Sequence, residues 1–427
     1  MKDPAYITIE ELAEIKLDPG RYTRIMPEKH LKYIAPGVDG LGICALSLQV
    51  PESAVLFIAP AGCARHVSMG AYRNGTQDRL YLLRVQEEEL VNGSHLDRIP
   101  QAVEEILKKA EPKPRALFLC SSCVDTLLAS DYETLARQME RRYGIRVRAS
   151  YMDPIMFDSQ KSPDNRIQCS MYAFVEKRKP CDGGVNLLGC GAPLNGDSEL
   201  YPLLQKAGAG PVRHIDQTKT LDELDELGRA ALNLVITPNA KMAAGQLKDR
   251  LKIPYLVFSV RWGLENIHQA YQDLGKALNL NIEDTPYLEQ AREEIIRSAV
   301  MLEGKRVAIG KTIRGNPFEV ARALTEYGVN VRQLYKNKVT PDDMETIRWL
   351  ARHNPGLRVY SGDHPTHVHL RAENRGNCPV DIAIGEDAAY FNPQAHSVLY
   401  PLGEEPFGYR GVTDLFARMA AGKEGAR

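Results

Sequence analysis

Residues 115–144 read RALFLCSSCVDTLLASDYETLARQMERRYG, and this stretch decides the fold class. A short apolar run, ALFLC, ends in a small polar turn and gives way to a helix-length amphipathic segment. The same rhythm recurs on either side. AVLFIAPAG at 54–62 leads into a segment beginning at Cys63, and VNLLGCGAPLNG at 185–196 leads into DSELYPLLQKAG. LNLVITPN at 232–239 leads into AKMAAGQLKDRLK and then the strand-like YLVFSV at 255–260. RVAIGKTIRGN at 306–316 leads into PFEVARALTEYG, followed by GLRVYSGD at 356–363 and VDIAIGEDA at 380–388. Short apolar strands alternating with longer helices predict an α/β protein of mainly parallel sheets flanked by helices.

The chain has 427 residues, which at roughly 150 per domain suggests about three domains. Turn-rich residues 153–184 precede a fresh strand, and the helical stretch YLEQAREEIIRSAVMLEG closes on Gly304 before RVAIG restarts the pattern. These breaks predict three Rossmann-like domains, 1–165, 166–303 and 304–427. Lys plus Arg is 54 against Asp plus Glu 55, so no basic footprint for nucleic acid is present. No apolar run approaches the ~18 residues of a membrane span, and the first twenty residues lack a secretory pattern. A cytoplasmic protein with eight reduced cysteines is expected.

In open parallel sheets, ligands bind beyond the carboxyl ends of the strands. Those ends carry Cys63, Cys120, Cys190, Thr237, Lys311, Asp363 and Glu386. Cys44 and Cys63 sit in the glycine-containing turns LGICALS and PAGCARH. Small neighbours let backbone N–H groups approach a thiolate, and a helix start offsets its charge, which suits iron–sulfur ligation. Free cysteines are also small buried hydrophobes. Cys120-Ser-Ser-Cys123 could be a redox dithiol or half of a zinc site, although a second ligand pair at comparable spacing is missing from the sequence. Gly310-Lys311-Thr312 resembles the end of a phosphate loop, but Lys305 stands where that loop needs its first glycine, so no nucleotide site follows. His364, His367 and His369 lie close together and could bind a metal or simply sit on a solvated loop.

At the cysteines the chain resembles the component 1 proteins of nitrogenase and their relatives. These include the dark-operative protochlorophyllide reductase, the F430 reductive cyclase, methylthio-alkane reductases and the scaffold for nitrogenase cofactor assembly. The carrying motifs are Cys44 opening CALSL, Cys63 ending PAGC, and Cys123 opening CVDTLLASD, where Ala129-Ser130-Asp131 replaces the family's Gly-Asp-Asp. VNLLG, the segment ending KIPYL, GKRVAIG and the closing PLGEEPFGYRG follow in the family's order. The Cys44–Cys63 gap is shorter than the family's. In nitrogenase the catalytic cofactor is held by a cysteine at the position of Thr237 and by a histidine before the Gly-Tyr-x-Gly-like ending. Both are missing from the sequence, so dinitrogen reduction is not expected.

The resemblance implies an iron–sulfur cluster, four-iron or P-cluster-like, on Cys44, Cys63 and Cys123. A fourth ligand would come from Cys120, a carboxylate, or a second chain across a dimer interface, identical or paralogous. It implies low-potential electrons from a separate ATP-dependent iron–sulfur reductase. Cys190, Asn195, Thr237, Asn239, Arg261, Lys311, Arg314 and His364 are the candidate substrate-pocket residues, the cations suiting an anionic substrate between the domains. A nitrogenase-like reductase subunit is the leading expectation. A non-catalytic scaffold for metallocluster assembly is the alternative, and a cluster-free protein with a Cys120–Cys123 redox pair is the third.

Overall fold

In a computed structural model, the apolar runs are strands, each leading into a helix or a tight turn. The structure describes residues 6–17, 22–27, 30–33, 46–73, 75–153, 162–189, 194, 196–313, 315–367, 379–400 and 406–422. In chain order the strands are β1 (Tyr6–Thr8), β2 (Thr23–Arg24), β3 (Ser53–Ala59), β4 (Leu80–Arg84), β5 (Ala116–Ser121) and β6 (Arg146–Tyr151). Then come β7 (Val185–Leu188), β8 (Val212–His214), β9 (Leu232–Val235), β10 (Tyr255–Val257) and β11 (Arg306–Ile309). The last are β12 (Asn330–Tyr335), β13 (Lys338–Val339), β14 (Arg358–Tyr360), β15 (Ile382–Ile384) and β16 (His396–Val398).

Three main sheets result, ordered β4-β3-β5-β6, β10-β9-β7-β8 and β1-β14-β12-β11-β15-β16, with a ribbon of β13 and β2. Within the main sheets every pairing is parallel except β1 against β14. The α/β class read from the sequence is therefore the observed one. The central strands are buried along their whole length, because helices cover both faces and neither face needs polar residues. Alternation still sorts the side chains. Val55, Phe57, Phe118 and Cys120 enter one core, while Leu56, Ile58, Leu117 and Leu119 enter another.

The helix Tyr132–Tyr143 shows how local sequence sets the boundaries. Asp131 caps it by accepting from the Thr134 N–H at 3.0 Å, and Gly144 ends it at φ 67°. Four residues earlier in sequence than Glu133, Ala129 holds φ 53°, a left-handed conformation that favours glycine. The resemblance puts a glycine at this position, where this chain has alanine.

The chain forms two compact units: one holds Gly40–Pro193 and Ala209–Phe258, the other Met1–Asp39, Leu194–Gly208 and Ser259–Arg427. Within the first, one apolar core takes Phe57 and Phe118 from one sheet and Leu188 and Val235 from the next. The helix Pro163–Tyr172 packs against both β6 and the helix Lys241–Leu251, so the turn-rich region before residue 185 joins two sheets into one unit. Buried Asp225 reinforces that junction by accepting from Arg146 at 2.7 and 2.9 Å, from Arg178 at 2.8 Å, and from the Glu176 N–H at 3.1 Å. Among the described residues, no helix is long and apolar enough to cross a membrane.

Candidate cluster site and strand-end residues

β3 and β5 are parallel neighbours with Phe57 opposite Cys120 and Ile58 opposite Ser121. Each runs straight into a helix. Cys63 is the third residue of the helix Ala61–Arg73, and Cys123 is the first residue of the helix Cys123–Leu127. Adjacent strands lie ~4.8 Å apart, so the two turns bring the thiols to the same edge of the sheet. Both side chains are partly exposed. Burial raises the Cys123 pKa, and the neighbouring Cys63 and Asp153 raise it further, while the backbone N–H groups of Cys123 and Val124 oppose the rise. Asp153 is fully buried two residues past β6.

Two thiols and a buried carboxylate thus lie near one another, and thiolates are the groups that hold iron–sulfur clusters. Among the described residues no group of three His, Cys, Asp or Glu side chains is placed to hold a metal ion, and Cys44 lies outside the described residues. Cys63 and Cys123 are two of the predicted cluster ligands, and the turns bring them to one sheet edge. Cys120 has no exposure and packs in the core with Phe57 and Phe118, the same core against which Cys63 packs. On a strand, the residue two after Phe118 shares its face, so the thiol of Cys120 takes part in the core packing.

Behind Cys123 lies a pair that sequence reading missed. His95 Nε2 sits 2.8 Å from Asp125 Oδ1, and both side chains are buried. Thirty residues separate them in the chain, and nothing in either local sequence signals the partner.

The second sheet of the same unit carries Thr237 and Asn239. The Thr237 hydroxyl lies within hydrogen-bonding reach of the Gly189 carbonyl and of Asn239 Oδ1, the latter at 2.5 Å. Gly189 holds φ 101°, and a Cβ there would overlap Thr237 and Ala240. Thr237 therefore ties the ends of β7 and β9 together. Cys190 and Asn195 lie outside the described residues.

The remaining strand-end candidates belong to the other unit. Lys311 and Thr312 donate their backbone N–H groups to Asp387 at 2.9 and 3.3 Å, and the Thr312 hydroxyl donates to it at 2.7 Å. A carboxylate of the chain itself thus accepts from N–H groups of the kind that meet a phosphate in a nucleotide loop. Arg261 lies near Glu319, whose pKa burial raises and the Arg261 charge lowers, with a net rise. Arg314 lies outside the described residues. His364 is buried and lines a cleft with Arg24, Lys32 and Asp363, its ring 6.1 Å from that of His367. Burial pushes His367 down to about 4, with the His364 charge adding to the effect, so it is neutral at physiological pH. His369 lies outside the described residues.

Residues 40–422 match the family of nitrogenase component 1 type oxidoreductases. This chain belongs to that family. A nitrogenase iron-molybdenum cofactor biosynthesis protein NifE from Rippkaea orientalis is 24% identical over 351 residues, covering 78% of this chain and 72% of that one. The protein NifN of the same description from a Nostoc species is 26% identical over 224 residues, 46% of this chain and 49% of the relative. The nitrogenase molybdenum-iron protein alpha chain of Methanosarcina barkeri is 21% identical over 40% of this chain and 33% of its own. The fold matches the solved nitrogenase Cp1 at pH 6.5 with a TM-score of 0.73 and 17% identity, over 93% of this chain and 94% of that one.

The closing Gly-Tyr-x-Gly of this component 1 type chain is Gly408-Tyr409-Arg410-Gly411, and its geometry accounts for the first glycine. Gly408 has φ 60°, and a Cβ there would overlap the buried carboxylate of Glu199. Glu199 accepts from the Tyr409 N–H at 2.7 Å and from the Tyr271 hydroxyl at 2.9 Å. Tyr409 in turn donates to Asp284 at 2.5 Å. The signature anchors the start of the helix Gly408–Ala420.

Proposed function

We propose that this chain is the cluster-bearing subunit of a nitrogenase-related assembly on which a metallocluster is built and then handed on. The observation that carries the reading is the delivery of Cys63 and Cys123 to one edge of the β3–β5 pair. The choice of assembly over turnover is supported by the NifE and NifN relatives, which are named for iron-molybdenum cofactor biosynthesis. Thr237 supports it too: where the resemblance puts a cofactor-holding cysteine in nitrogenase, this chain has a hydroxyl within reach of the Gly189 carbonyl.

In this reading Cys63 and Cys123 are two ligands of an iron–sulfur cluster, Cys44 is the third, and a second chain, identical or paralogous, completes the set. One-electron transfer is the chemistry such a cluster supplies when bound. The backbone N–H groups of Cys123 and Val124 favour the thiolate form. Met69 and Tyr72 on one cysteine-bearing helix, and Leu127 and Leu128 on and just past the other, are exposed. Large apolar groups there suit a face covered by a partner subunit. Electrons would come from an ATP-dependent iron–sulfur reductase.

The test is to purify the complex without oxygen and supply reductase, ATP and a strong reductant. Cluster transfer to an iron-free acceptor protein, with no ATP-dependent hydrogen evolution above that of the reductase alone, is the expected outcome. Sustained ATP-dependent turnover without transfer would replace this reading with that of a nitrogenase-like reductase.

A further inference from the structure

The helix that opens with Cys123 has only five residues, Cys123–Leu127. One turn fixes several dihedrals for few hydrogen bonds, so such a helix cannot orient its first side chain unaided. Its main outside anchor is Asp125, two residues on. The Asp125 side chain is 3% exposed and meets His95 Nε2 at 2.8 Å, and His95 is itself 1% exposed. The other ring nitrogen, Nδ1, faces the Glu89 carbonyl at 3.2 Å. Each ring nitrogen therefore has an oxygen within hydrogen-bonding distance. Glu89 is anchored in turn by Arg98 at 2.5 Å. The Asp125 backbone works in the same direction, its carbonyl accepting from the Ser130 N–H at 3.0 Å.

A buried polar pair is a weak source of stability, since apolar groups of similar volume usually do as well or better. What such a pair supplies is a defined geometry. Its place, directly behind one of two convergent thiols, says which geometry. We propose that His95 and Asp125 are positioning residues for Cys123, fixing the short helix so that the thiol stays at the strand edge beside Cys63. The inference rests on the reading of Cys63 and Cys123 as cluster ligands, and it assigns a role to two side chains that never touch the cluster.

The test uses Asp125→Leu and His95→Leu, which fill the space without the hydrogen bond, and Asp125→Asn, which can donate from its amide to Nε2. Groups that orient a metal ligand typically change affinity by about 10–100-fold. Both leucine variants should therefore lose most of their iron per chain after oxygen-free purification and give an altered electron paramagnetic resonance spectrum. Asp125→Asn should keep both near wild type. In iron-free protein, the alkylation rate of Cys123 relative to Cys63, read by peptide mass spectrometry, should change several-fold in the leucine variants and not in Asp125→Asn. Should the leucine variants fail to fold, His95→Gln is measured in the same way and is expected to show the smaller change in the same direction. An unchanged alkylation ratio in every folded non-asparagine variant overturns the proposal, as do wild-type iron and spectrum in those variants. Wild-type protein that never carries iron would sink the cluster reading instead, and the alkylation ratio would still decide the positioning role.

Discussion

Cys120 and Cys123 lie three residues apart in sequence, yet they should respond to substitution in opposite ways. Cys120 is fully buried between Phe57 and Phe118, so Cys120→Ala deletes one packed heavy atom and leaves a small cavity. A buried group of that size is worth about 0.8 kcal/mol, and the residual cavity adds about 24 cal/mol per Å3. The two together give a loss of about 1–2 kcal/mol. For a unit of roughly 200 residues, that lowers the melting temperature by about 3–6 °C. Cys120→Ser should do more harm, because a hydroxyl buried without a partner costs about 1–3 kcal/mol. Iron content should be untouched by the alanine change. Cys123→Ala removes a partly exposed thiol, so its melting shift should be small while the iron is lost. Calorimetry beside iron assay of the two alanine variants checks the pair. Iron loss in Cys120→Ala with an unshifted melting temperature would refute the reasoning, since it would make the inner thiol a ligand and not a packing group.

Three further outcomes follow from other contacts. Gly408→Ala forces a left-handed alanine against the Glu199 carboxylate and should destabilise the protein by about 2–4 kcal/mol in chemical denaturation. Ala129→Gly relieves a left-handed alanine worth about 1–2 kcal/mol, offset by about 0.5–1 kcal/mol of added chain entropy, so a small gain in melting temperature is expected. For Asp225, burial pushes the pKa up, but Arg146, Arg178 and the Glu176 N–H outweigh it and leave the value below the ordinary carboxylate range. A depressed folded pKa gives stability that is present above the unfolded pKa of ~3.9 and is lost as pH falls through the folded value. The wild-type advantage over Asp225→Asn should therefore be constant from pH 7 to about 5 and shrink below about 4, as read by urea midpoints across that range.

How much of this was legible in the sequence depends on the distance over which each feature is determined. The strands β3, β5, β7, β9 and β11 were plain from their short apolar runs, and so was the position of Cys63 and Thr237 at strand ends, whereas Cys123 was singled out as a cluster ligand only by the family resemblance. Strand alternation also held the fate of Cys120: it shares a face with Phe118, two residues before it. The short β1, β2 and β13 were not legible, since two or three residues carry no periodicity and form only because β14 and each other offer partners. The shared core of the first two sheets was also hidden, because it depends on which faces meet. The same holds for His95 with Asp125 and for Lys311 and Thr312 with Asp387, pairs joined across thirty and about seventy-five residues. Local sequence names the loop and leaves out the distant carboxylate that occupies it.

The most direct test of the cluster reading is iron and acid-labile sulfide per chain after oxygen-free purification of wild type, Cys63→Ala and Cys123→Ala. Several irons per wild-type chain, lost in each variant, is the predicted result. Wild-type protein without iron, or variants that retain it in full, would contradict the claim that these two thiols hold a cluster.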